Sequence, residues 1–272
     1  MEKFQLQLFF QIIGIGSASG LLYHDDLLYL VSDNSSFLYE YSMNENKLNK
    51  IALVENPSEN IPKKDKPDFE SMTLERSRIS ILGSGSTENR KKIISYSLKS
   101  KEIKVSDFTK PYDSLMKISG ITRENLNIEG FIYSKNKVLL FQRGNGESSI
   151  NGIFEIKSDN SEIKFHKVQL QKLNKTEASF TDAILVDETI YFLASVEDTI
   201  STYDDGEILG TFLGKMKLND FSIVETSLIS NKNKFEGITL YKNTESNLEF
   251  LLCEDNDTDV LESKIYKLKI KK

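Results

Sequence analysis

The chain has few of the residues on which the commonest active sites are built. It has two histidines, His24 and His166, one cysteine, Cys253, and no tryptophan in 272 residues. A lone cysteine excludes an internal disulfide, which suits a reducing, cytoplasmic setting. Two histidines, one in a turn and one on an outer strand, are too few for a histidine-centred triad or a zinc site. Positive charge is also short, with 35 Lys+Arg against 41 Asp+Glu and a net charge of −6. No basic stripe runs along the chain, so a nucleic-acid partner is not expected. No run of about 18 apolar residues exists, and a membrane-spanning helix is not expected either. At the N-terminus, Gln5 and Gln7 alternate with Phe4, Leu6 and Leu8. That is a strand pattern, not the apolar core of a signal peptide. Helical periodicity is scarce, and the best helix candidate is residues 112–125, "YDSLMKISGITREN".

What is present is repetition. Five segments align, at residues 17–53, 68–108, 127–170, 180–229 and 234–270. Small residues anchor the alignment at Gly20, Ser71, Gly130, Ala183 and Gly237, with steps of roughly 50 to 60 residues, the length of a four-stranded propeller blade. Turn-rich sequences such as "SKNK", "RGNGESS" and "SDNS" divide the third repeat into four strands, and Asp205-Gly206 in the fourth is a hairpin signal. The fifth repeat has only three strands, and residues 4–11, "FQLQLFFQ", supply the fourth. Pairing the two ends leaves no open sheet edge at the closure. The expected fold is all-β, a five-bladed β-propeller over residues 1–272, with six blades as the alternative. Residues 55–67 read as an excursion between the first two blades.

Three signatures carry a resemblance: "SASGL…SDNS…YEY", "DFESMT" with "FEGIT", and "GSGS". Across its whole length the chain resembles a family of bacterial single-domain propellers of unknown function. "PDFESMT" and "FEGIT" are also similar to the openings of esterase-like phytases, and the "EG" strand heads resemble gluconolactonase and regucalcin propellers. The lactonase resemblance implies one divalent ion held by a Glu with Asn and Asp partners. Glu236 or Glu129 matches that Glu, whereas Asn34 and Asn256 are loose substitutes. The resemblance implies the fold and leaves the activity open.

In a propeller blade the innermost strand starts, and the second strand ends, on the same face of the disc. Residues at those places converge on the channel mouth. The strand heads contribute Glu70, Glu129, Asp182 and Glu236, with Ser19 in the first repeat. The second-strand ends contribute Asp33, Ser84, Arg143, Glu197, Glu254 and Asp255. Each acid has two readings: a turn anchor that accepts backbone N–H bonds, or part of a site. Carboxylates gathered on one axis repel unless protonated, paired or bridged by a cation. An oxygen-rich ring suits Ca²⁺ or another divalent cation, and the metal candidates are Glu70, Glu129, Asp182, Glu236 and Asp255. Asp33, Ser84, Arg143, Asp182 and Glu197 are ligand-binding candidates, and acid–base work falls to Glu70 or Glu129.

Other features carry less. "CEDNDTDVLES" alternates Asp255, Asp257 and Asp259, but Val260 and Tyr266 stand where an EF-hand needs Gly and Glu. "GSGSTENRKK" reads as an inter-strand turn or, with Arg90, as an anion cradle. Cys253 reads as a core residue. The leading expectation is a monomeric propeller that binds a small molecule or cation at an acidic mouth. A metal-dependent hydrolase of the lactonase or phosphoester class comes second, and a protein-interaction scaffold with Tyr39, Tyr41 and Tyr203 on an apolar patch third.

Overall fold

Strand burial follows from each strand's place in a blade. Second strands such as Leu27–Ser32 (LLYLVS) and Lys137–Gln142 (KVLLFQ) are continuous apolar runs because both faces are covered. Fourth strands such as Lys47–Ala52 (KLNKIA) are mostly polar and exposed, with only Leu48 and Ile51 half-buried, one on each face. The computed structural model describes residues 4–145, 150–159, 161–198, 206–255 and 260–272. Tyr203, Asp205, Asn256, Asp257 and Asp259 lie outside the described residues.

The strands form five antiparallel four-stranded blades. Their inner strands are Ala18–His24, Phe69–Glu75, Ile128–Ser134, Ser179–Val186 and Lys234–Asn243. Each inner strand contacts the next, and the fifth contacts the first, so the ring is closed. Phe4–Ile13 pairs with Glu262–Lys271 and completes blade 5, as the alternation of the N-terminus predicts. Hairpin tips use residues that tolerate positive φ; Asp25 and Asp26 stand at φ 51° and 61° between the first two strands of blade 1. The expected helix is Thr109–Ser119, stopped by left-handed Gly120, and residues Arg123–Asn125 form a short 3₁₀ turn.

The core lies between blades. One apolar cluster joins each neighbouring pair, and the helix adds Tyr112 and Leu115 to the cluster between blades 2 and 3. Large aromatic side chains in these seams, such as Phe192 and Phe250, are fully buried, and truncating one costs about 3–5 kcal/mol. Tyr39 and Tyr41 are 1% and 7% exposed and belong to such seams. The surface patch expected to hold them therefore does not form. Cys253 is also seam core, with its thiol donating to the Ala18 carbonyl.

Candidate functional site at the channel mouth

A β-bulge opens every inner strand. Pairing with the second strand skips one residue in each blade: Ser19, Glu70, Glu129, Thr181 and Glu236. A bulge re-aims the side chain of its extra residue. Here it explains why a strand opens with a carboxylate followed by a small residue. At Gly237, an added Cβ would lie 2.6 Å from Cys253 Sγ and 2.9 Å from the Leu21 backbone nitrogen, so only glycine allows the inner strands to pack this closely.

The bulge also corrects the alignment of the fourth repeat. Thr181, not Asp182, is the equivalent of the glutamates, and Asp182 occupies the place of Gly20, Ser71, Gly130 and Gly237. Asp182 accepts the backbone N–H groups of Ala183 at 2.7 Å and Ile238 at 2.8 Å, tying blade 4 to blade 5. Burial pushes its carboxyl well up despite those two bonds. The hydroxyl bulge residues do similar work. Thr181 donates to the Phe235 carbonyl, and Ser19 to that of Phe69, each in the next blade. Two bulges thus join blades, and three aim a glutamate at the mouth.

The glutamates differ in their partners. Two residues before each, on the same side of the chain, stands a polar residue: Asn127 before Glu129, Lys234 before Glu236, and Asp68 before Glu70. Asn127 Nδ2 donates to Glu129 Oε1 at 2.8 Å, and Lys234 Nζ lies 2.9 Å from Glu236 Oε1. Asp68 offers Glu70 no donor. Arg143 pairs with Glu197 and Glu129, the latter at 3.1 Å, and Lys234 also lies 3.7 Å from Glu197 and 3.4 Å from Asp255. Glu129, Glu197, Glu236 and Asp255 are therefore held in one buried ion-pair network. Two polar atoms within it, Glu129 Oε2 and Arg143 Nε, are buried with no partner among the described residues.

On the blade 1–2 side, Lys66 Nζ donates to Asp33 and lies 2.9 Å from Asp68 Oδ1. Arg90 Nη1 donates to Asp68 at 2.8 Å, and Ser84 Oγ donates to the same carboxylate. Burial raises the Asp68 pKa, but Lys66, Arg90 and Ser84 outweigh it and hold the carboxyl below its usual range. Asp68 sits at φ 55°, a left-handed conformation for a non-glycine residue. Arg90 also bonds Ser86 and the Lys63 carbonyl, so its guanidinium is committed within the protein and not poised over an anion.

Glu70 is 8% exposed. Among the described residues, no hydrogen bond or ion pair within 4 Å reaches its carboxylate. Burial, followed by the fields of Glu129, Asp68, Glu236 and Asp33, pushes its pKa well above the ordinary range. Every other mouth acid named here has a close partner. One oxygen from each of Asp33, Asp68 and Glu70 lies within 4.8 Å of the others, so this triad can hold a metal ion. Of the five metal candidates named from sequence, Glu70 alone falls in this triad. Glu129, Glu236 and Asp255 face Arg143 or Lys234, and Asp182 bonds backbone.

Sequence reasoning missed Lys66, Asp68 and Lys234, and named Arg90 for an anion cradle and not as the partner of Asp68. Asp68 and Lys234 were legible through two-residue alternation with the glutamates. Lys66 and Arg90 arrive from irregular segments, and no periodicity marks them.

Residues 14–270 match the model of a family of unknown function, DUF6929. The chain belongs to that family. No curated protein sequence matches it. Among solved structures, it is similar to glutaminyl cyclase from Myxococcus xanthus, at 10% identity and TM-score 0.55 over 97% of both chains. The Malassezia sympodialis allergen Mala s 1 shares 9% identity and TM-score 0.55 over 95% of both chains. A luciferin-regenerating enzyme shares 9% identity and TM-score 0.50, over 94% of this chain and 92% of that one. At such identities the likeness concerns the propeller fold, which hosts unrelated activities. Among the described residues, no helix is long and apolar enough to cross a membrane.

Proposed function

We propose that the channel mouth binds a small ligand that is positively charged or rich in hydrogen-bond donors, with Glu70 as its anchor. The observation that carries this reading is the missing partner of Glu70. A largely buried carboxylate without a protein donor is left to solvent or an incoming ligand, whereas structural acids in the same ring are satisfied by the protein: Asp68 has three side-chain donors and Asp182 two backbone ones. Carboxylates also outnumber the buried lysine and arginine side chains at the mouth, so an incoming cation or amine relieves repulsion.

The test is a thermal-shift panel of divalent cations, amines and polyols on chelator-treated wild type and Glu70→Gln. A ligand of this site stabilises the wild type saturably and the variant much less. Equal shifts in both proteins for every stabilising compound would place binding elsewhere and remove the reading.

A second reading, a hydrolase of the lactonase or phosphoester class, is supported by one pair. Glu129 Oε2 and Arg143 Nε, buried and unpartnered in adjoining side chains, offer a base beside a group able to steady developing negative charge. Turnover of a lactone or phosphoester that disappears in Glu129→Gln would favour it. Turnover retained in that variant would count against it.

A further inference from the structure

We propose that Asp33, Asp68 and Glu70 form a site for a calcium-sized divalent cation, and that Lys66 holds the ion's place until it binds. The inference rests on the reading of the mouth as a ligand site and names the ligand at one corner of it. The three carboxylate oxygens lie within 4.8 Å of one another. Oxygens about 2.3–2.6 Å from a shared Ca²⁺ are at most about 5 Å apart, so the spacing suits that ion as it stands. Mg²⁺ is usually held by one or two carboxylates and keeps several of its waters, so a cluster of three carboxylates suits Ca²⁺ better.

A cluster of acids alone would not carry this. Glu70 adds an independent observation, since it is more than nine-tenths buried, lacks a hydrogen bond or ion pair among the described residues, and directs an oxygen into the cluster. Asp33 Oδ1 is fully buried without a hydrogen-bond partner among the described residues. Lys66 satisfies part of the cluster, through Asp33 Oδ2 and Asp68 Oδ1. Its ammonium gives one charge among three carboxylates, and of the three, Arg90 contacts Asp68. Exchanging the ammonium for a divalent ion, with Arg90 in place, balances three negative charges with three positive ones. The ion also gives Glu70 a partner and keeps coordination positions for water or a ligand oxygen.

Lys66 is suited to withdraw. Its ammonium ends a flexible four-carbon stem, on a segment without strand structure between Lys47–Ala52 and Phe69–Glu75 that is held to blade 1 through Ser58 and Ile61 and to blade 2 through Lys63. Lys234, the corresponding ammonium across the mouth, is fixed in a blade strand.

The test is calorimetric titration of CaCl₂, MgCl₂ and MnCl₂ into the chelator-treated full chain. The proteins compared are wild type, Glu70→Gln, Lys66→Gln and, as a control away from the mouth, Glu188→Gln, an exposed acid at a hairpin tip. Calcium is expected to bind wild type and control alike, at least tenfold more weakly to Glu70→Gln, and several-fold more tightly to Lys66→Gln. Hydrogen exchange across residues 55–67 of the wild type is expected to rise with saturating calcium as Lys66 leaves. Undiminished affinity in Glu70→Gln, no binding to folded Lys66→Gln, or unchanged exchange in 55–67 would overturn the proposal. If calcium fails while another panel compound stabilises wild type but not Glu70→Gln, the cation assignment falls and the ligand-site reading stands. Equal panel responses of both proteins end both.

Discussion

Blades 2 and 3 begin with the same construction and reach opposite electrostatic states. Blade 2 presents Asp68, Phe69, Glu70 and, at its second-strand end, Ser84. Blade 3 presents Asn127, Ile128, Glu129 and Arg143. In blade 3 the residue two before the glutamate donates to it, and the second-strand end supplies a guanidinium. In blade 2 both positions hold groups that bond elsewhere, because Ser84 and the cations Lys66 and Arg90 turn to Asp68. Repeats therefore fix where an acid points and leave its partners to local substitution. One corner of the ring becomes an ion-pair brace, and the other keeps a carboxylate without a partner among the described residues.

The largest test of this contrast breaks the brace. Replacing Arg143 with Met leaves Glu129 and Glu197 buried without their guanidinium, and should cost about 3–5 kcal/mol in urea unfolding. A loss under about 1 kcal/mol would show that the network is not holding blades 3 to 5 together. Replacing Lys66 with Gln should cost less, about 1–2 kcal/mol, because Arg90 and Ser84 still serve Asp68. A loss as large as that of Arg143→Met would mean that Lys66 is as structural as the brace. The smallest effect concerns pH. The folded-state pKa of Glu70 is raised above its ordinary value of 4.5, so its contribution to stability is full below that value and is lost as pH rises through the folded one. Glu70→Gln has no such loss, and the stability of the variant relative to wild type should grow between pH 4.5 and pH 8. A pH-independent difference would mean that Glu70 titrates normally.

The architecture was legible because blades repeat. Small-residue anchors, turn compositions and the alternating N-terminal strand each correspond to a structural constraint, and together they specify five blades and their closure. The glutamates of blades 2, 3 and 5 were legible as mouth residues for the same reason. Asp182 is misaligned by one residue when the acid followed by a small residue, Asp182-Ala183, is matched to Glu70-Ser71 and Glu236-Gly237; matching Phe180 to Phe69 and Phe235 puts Thr181, where the bulge falls, opposite the glutamates. A bulge is a backbone event, and the sequence shows only which residues tolerate it. The cations were harder still. Lys66 and Arg90 reach Asp68 from loops, so their convergence depends on tertiary path and not on spacing.

The central claim is that Glu70 is kept at the mouth for a ligand and not for the fold. Urea unfolding of ligand-free wild type and Glu70→Gln at pH 7.5 tests it most directly. The account predicts that the variant is more stable by about 0.5–2 kcal/mol, as when a functional group held against its own burial cost is neutralised. A variant less stable than wild type would show that Glu70 supports the propeller, and would contradict the account.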